Sequence, residues 1–163
     1  MTTMDLLFEQ RLTNNTALAS HLISIAVREC FEANLRKSGI EFPLIFTILP
    51  LVFHSQTAES LATKKRPGVL IKALSENREI PLGLQERMEG FAELTLEALS
   101  LGFSANLFYL DVNGTMEIVP GEDSGMDFVH PQIKTASNAA KRVGQSFSEL
   151  GLEQICIYLN IRF

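Results

Sequence analysis

The reading of the fold turns on "FPLIFTILPLVFHSQTAESL", Phe42 to Leu61. Its first twelve residues, Phe42 to Phe53, are nearly all apolar, and His54, Ser55 and Gln56 end the run. A bilayer span needs about 20 such residues, so the segment does not cross a membrane. A helix apolar on all sides at this length is the buried central helix of a small domain, expected here from Pro43 to Phe53. Pro50 removes one backbone hydrogen bond and kinks that helix about a turn before the polar stop.

Upstream, Asn14, Asn15 and Thr16 offer N-cap chemistry before "ALASHLISIAVRECFEANLRKSG". Leu18, Leu22, Ile25, Ala26 and Cys30 recur at helical spacing, and Arg36 and Lys37 suit a C-terminal turn before Gly39. A long helix is expected from Thr16 to Lys37. The opening "MTTMDLLFEQRLTNN" has neither a basic region nor a long apolar one, so no secretion signal is expected, and the chain is read as cytoplasmic.

Downstream, "SQTAESLA" reads as a short helix and "PGVLIKALSEN" as another, with Pro67 near its first turn. "PLGLQERMEGFAELTLEALSLGF" is helical, with Leu84, Met88, Phe91, Leu94 or Thr95, and Ala98 on one face. Gly102 ends it or loosens its last turn. The period then changes: "NLFYLDVNGTMEIVP" holds two strand-like runs flanking Asn113-Gly114, a strong hairpin signal. "GEDSGMDF" is a polar loop and "QIKTASNAAKRVGQSFSEL" a helix. "LEQICIYLNIRF" is either a last helix or a β-rich tail.

Short helices followed by a hairpin follow the order of a winged helix-turn-helix. The expected fold is mainly α with a β-hairpin (α+β), a winged helix-turn-helix-like core with flanking helices. Residues 1–41 form an N-terminal helical segment, 42–120 the winged-helix-like core, and 121–163 a C-terminal loop and helices, all in one compact domain.

Size and composition agree with a globular chain: 163 residues, 46% apolar and 20% charged. Mean hydropathy is +0.14, which apolar surface covered by a partner, or a large core alone, would produce. Cys30 and Cys156 sit among apolar neighbours outside any C-x-x-C spacing and are read as buried free thiols in a reducing compartment.

The sequence carries no Walker A, G-x-G-x-x-G, H-E-x-x-H or G-x-S-x-G motif. His21, His54 and His130 have no metal-ligand partner at helical spacing, so core or capping roles are expected. Glu89, Glu93 and Glu97 form an i, i+4 ladder on an exposed helix face. No catalytic residue, cofactor site, metal site or small-molecule substrate is expected, and the chain is not read as an enzyme.

Winged helices usually bind DNA, which requires Lys and Arg against phosphates. From Met88 to Ile133 there is no Lys or Arg, but eight carboxylates: Glu89, Glu93, Glu97, Asp111, Glu117, Glu122, Asp123 and Asp127. The net charge is -5. One basic cluster, Lys64-Lys65-Arg66, precedes the helix that would be the recognition helix and is the candidate for a weak DNA contact. Charge favours a protein partner.

The order of "FPLIFTILPLVFHSQTAESL", "LIKALSENREIP", an acidic helix and hairpin, and "ASNAAKRVGQSFSELGLEQICIYLNIRF" resembles the middle component of three-component ABC-ATPase systems, bacterial defence systems of the Lamassu kind. The resemblance covers about Leu12 to Phe163. It rests on "LPLVFH" with a following "TAESL", an early "NN-x-AL", a late "A-x-x-[KR]-x-G-x-x-F" and a short "LNIRF" ending. One departure is Leu74, where such proteins often carry an aromatic.

The resemblance implies a non-catalytic adaptor or regulatory subunit that bridges an SMC/Rad50-like ABC ATPase and an effector, often a nuclease, in an anti-phage or anti-plasmid complex. It would meet DNA only through that complex, and it would have no membrane association. Candidate interface residues are Phe8, Phe103, Phe108, Tyr109, Arg162 and Phe163, each aromatic also open to ordinary core packing. Arg162-Phe163 either docks into a partner or folds back. The alternative is a stand-alone winged-helix DNA-binding regulator acting through Lys64, Lys65 and Arg66.

Overall fold

Asn15 caps a long helix: its side-chain oxygen accepts the Leu18 amide at 2.9 Å, a standard way to satisfy an open helix N-terminus. In the computed structural model, which describes residues 10–11, 14–123, 125 and 130–163, α1 spans Thr16–Ala33. It stops short of the expected Lys37 because the chain turns at Asn34. Leu35 and Arg36 take positive φ values of 55° and 61°, and the Asn34 side-chain Nδ2 donates to the Ser38 carbonyl at 3.3 Å. That turn delivers a two-residue strand, β1, Ile40–Glu41.

The expected Pro43–Phe53 helix divides in two. A 3-10 turn covers Phe42–Leu44, and α2 covers Ile45–Val52 with Pro50 inside it. Every residue of α2 except Phe46 is buried, as its uniform apolar character demands. Helix α3, Ser55–Ala62, follows directly. Helix α4, Val69–Glu76, is preceded by Gly68 at φ 74°, so Pro67 lies outside the helix rather than in its first turn.

Helix α5 runs Leu84–Ser104 and passes through Gly102. A Cβ at Gly102 would fall 2.1 Å from the Phe108 ring, so this glycine seats an aromatic instead of ending the helix. Strands β2 (Phe108–Asp111) and β3 (Glu117–Pro120) form the expected hairpin. Helices α6 (Pro131–Glu149) and α7 (Leu152–Leu159) complete the chain, so the final segment is a helix. The fold is mainly helical with a small antiparallel sheet, within the α+β class.

The sheet has the order β1-β3-β2, both pairings antiparallel. Ile40 pairs with Ile118 and Leu110 with Ile118, so β3 is the middle strand. Ile40, Ile118 and Phe108 are fully buried, on the helix-facing side.

One buried cluster draws on α1 (Leu22, Ile23), α2 (Ile48, Leu49), α3 (Leu61), α5 (Leu84, Ala98), α6 (Ala139, Ala140) and α7 (Ile155, Leu159). Each large aliphatic side chain buried this way contributes roughly 1.5–3 kcal/mol. Helices α1 and α6 approach closely at Gly144, where a Cβ would lie 2.2 Å from the Ala26 carbonyl oxygen. The late "A-x-x-[KR]-x-G-x-x-F" pattern is therefore a packing motif: its named positions Ala139, Gly144 and Phe147 are all buried. Among the described residues, no helix is long and apolar enough to cross a membrane.

Candidate interaction surface

The hairpin presents unlike faces because successive strand residues point to opposite sides. Phe108 points inward and packs edge-on against Phe103, with ring centroids 5.4 Å apart. Its expected place at an interface is thereby corrected: Phe108 is fully buried, held in the space Gly102 leaves. Phe103 is half-buried. Tyr109, the next residue, is exposed, as are Leu110, Val112 and Met116.

Across the outward face runs a row of carboxylates. Glu41 lies opposite Glu117, and Glu117 opposite Asp111. Like charges directly opposite one another on a sheet are destabilising. Two of the three accept hydrogen bonds from backbone amides. Glu117 Oε2 accepts the Gly39 amide at 3.1 Å, and Asp111 Oδ1 accepts the Asn113 amide at 2.9 Å. None is ion-paired: among the described residues the ion pairs are Arg36–Glu32, Lys64–Glu76 and Arg66–Glu149. Beside the row lies a cavity of about 210 Å³ lined by Asn34, Ser38, Glu41, Glu117, Glu149 and Leu150, among others.

This row was beyond the sequence reading, which missed β1. A two-residue strand carries no periodicity, and only its pairing brings Glu41 beside Glu117.

The basic cluster is largely committed within the chain. Lys64 Nζ pairs with the Glu76 carboxylate. Arg66 Nε donates to Glu149 Oε1 at 3.1 Å, while Glu149 Oε2 accepts the Gly68 amide at 2.9 Å. Lys65 is exposed, and its carbonyl accepts Lys72 Nζ at 3.1 Å.

At the C-terminus, Arg162 and Phe163 are exposed, but the backbone is anchored. Gln85 Nε2 donates to the Arg162 carbonyl at 3.1 Å, and the Arg162 amide donates to Gln85 Oε1 at 3.0 Å. The tail thus folds back onto the start of α5 while leaving both side chains outside. Phe8 and Asp127 lie outside the described residues.

Burial shifts several titratable groups. Burial, with the nearby Glu117 charge adding to it, pushes the Cys30 thiol up to about 12; its Sγ donates to the Gly39 carbonyl at 3.6 Å. Burial and then Glu41 raise the Cys156 thiol. Burial lowers His21, against an opposing pull from Asp123. Burial and the Arg87 charge lower His54, whose Nδ1 lies 2.8 Å from Thr57 Oγ1. His130 Nδ1 accepts the Gln132 amide at 3.3 Å and caps α6. Among the described residues, no group of three or more His, Cys, Asp or Glu side chains could hold a metal ion.

No curated protein and no solved structure matches the chain. A family model does, over residues 4–163: the ABC-three component (ABC-3C) system Middle Component 3. That match takes in the buried α2 segment, the hairpin and the Gly144 packing motif together, and the chain belongs to the Middle Component 3 family of ABC-three component systems.

Proposed function

We propose that this chain is a non-catalytic, cytoplasmic adaptor subunit of a Lamassu-like anti-phage or anti-plasmid complex, bridging an SMC/Rad50-like ABC ATPase and an effector such as a nuclease. The observation that carries this reading is the family match over residues 4–163, since a middle component works with the other components of its system.

Charge supports protein contacts over DNA contacts. The Met88–Ile133 interval has no Lys or Arg, and two of the three clustered cations elsewhere are ion-paired. A phosphate backbone gains little from such a surface. A winged-helix-like core is the fold reading we favour: a helix, a strand, further helices and a hairpin occur in that order, with the sheet order β1-β3-β2. The carboxylate row gives its wing an acidic face.

The test is reconstitution of the three components encoded together. With the effector immobilised, capture of the ATPase component should require this chain. Equal capture without it would end the bridging role, and turnover of ATP or cleavage of DNA by the purified chain alone would end the non-catalytic one.

A further inference from the structure

We infer that the free edge of β2 is a docking site for a basic β-strand supplied by another component of the system; this rests on the adaptor reading and gives it a surface. The strand order β1-β3-β2 leaves β2 with one neighbour. The hydrogen-bond alternation then fixes which backbone groups face outward. The Phe42 amide donates to the Met116 carbonyl and the Gly121 amide to the Leu107 carbonyl, both at 2.9 Å. Two-residue steps from these bonds make Tyr109–Val119 and Asp111–Glu117 the bonded pairs of the hairpin. The Leu110 amide and carbonyl therefore point away from β3, toward the open edge.

Open edges are normally blunted by Lys, Pro or a covering segment. Here β2 reads Phe-Tyr-Leu-Asp, with no Lys or Pro. Tyr109 is 45% exposed, Leu110 41%, Val112 65% and Met116 47%. Edge pairing supplies backbone hydrogen bonds, and alternate side chains supply specificity. The specificity is legible in the charges: Asp111, Glu117 and Glu41 form one row without an ion pair beside the apolar residues, and Asp111 and Glu117 lie in the Met88–Ile133 interval that has no Lys or Arg. A strand alternating Lys or Arg with apolar residues complements both features. A nucleic-acid backbone is repelled by that row, and pairing β2 with a second copy of itself brings like charges together.

The experiment measures binding of the full chain to the immobilised ATPase component and, separately, to the immobilised effector, by interferometry. Leu110→Pro removes the outward amide, and Leu110→Lys with Val112→Lys adds opposing charge. Either change should weaken binding by about tenfold or more, and binding of the unaltered chain should fall steeply from about 50 mM to about 500 mM NaCl. Ile157→Lys, on the exposed side of α7, should bind as the unaltered chain. Melting curves verify folding, and Val112→Lys alone, at a position 65% exposed, adds the opposing charge in place of any variant that fails to fold.

Unchanged binding by every folded hairpin variant would overturn the docking site while leaving the adaptor reading intact. If the unaltered chain binds neither component, both readings fall. A concentration-dependent dimer of the chain alone that the hairpin variants abolish would assign the edge to a second copy and overturn the proposal.

Discussion

Replacing Gly144 by alanine should destabilise the chain, although alanine is the better helix former. The new Cβ would sit 2.2 Å from the Ala26 carbonyl oxygen, 3.0 Å from its carbonyl carbon and 3.1 Å from its Cα. All three are backbone atoms of α1, so no side-chain rotation relieves the clash. The helices must part by about 1 Å to reach ordinary contact, loosening the packing of Ala139, Ala140 and Phe147. Overpacking of this kind costs about 1–3 kcal/mol, and a rigid backbone neighbour places it near the upper end. Helix propensity returns about 1 kcal/mol, leaving a net loss of about 2 kcal/mol. For a chain of this size that is a fall in Tm of about 4–8 °C.

Gly90 supplies the control, since it lies within α5 with nothing inside 4 Å of its Cβ position. The same substitution there keeps the propensity gain without the clash and should raise Tm by about 2–4 °C. Thermal unfolding followed by circular dichroism reads both variants under one set of conditions. A Gly144→Ala variant that melts at or above Gly90→Ala would refute the close α1–α6 contact.

Three further outcomes follow from the local chemistry. Asn15→Ala removes the cap on α1 and should cost about 1 kcal/mol in denaturant unfolding; no loss would show that the N-terminus is capped otherwise. His21 and His54 are held below their ordinary value in the folded chain, so the unfolded chain binds more protons as pH falls. Their contribution is complete above the unfolded histidine value and is lost as pH drops through it, so Tm should fall between about pH 7.5 and pH 5.5, with a shallower slope in His54→Gln. Cys30 is fully buried, and its thiol is pushed up to about 12. Iodoacetamide at about pH 8 should leave it unmodified in the native chain and alkylate it after unfolding, as peptide mass analysis would show.

The elements that sequence reveals here are those with a long or strong local signal. Helices α1 and α5 follow from repeated apolar spacing, and the hairpin from Asn113-Gly114. The hairpin's last pair is Asp111–Glu117, so its loop is longer than the two-residue turn that Asn-Gly suggests. Asp111 shapes it by accepting the Asn113 amide.

What sequence hides is set by distant neighbours. Arg36 and Lys37 look like helix residues, yet the Asn34 bond to Ser38 turns the chain before them. Gly102 looks like a terminator until Phe108 is seen in the space above it. The last segment was ambiguous because Ile155, Ile157 and Tyr158 favour strands while Leu152, Ile155 and Leu159 keep helical spacing; α7 buries Ile155 and Leu159.

The candidate surface shows the same division. Its acidity is plain from the Met88–Ile133 interval, but residue type alone does not tell Phe108 in the core from Tyr109 outside. The row of Glu41, Glu117 and Asp111 exists only once β1 pairs with β3.

The most direct measurement is the mass of the species formed when this chain is mixed with the ATPase component of its system, by size exclusion with light scattering. An adaptor predicts one complex whose mass is the sum of the ATPase and this chain, in a fixed ratio that survives dilution. Two separate peaks at the masses of the isolated proteins, with the effector absent or present, would contradict it.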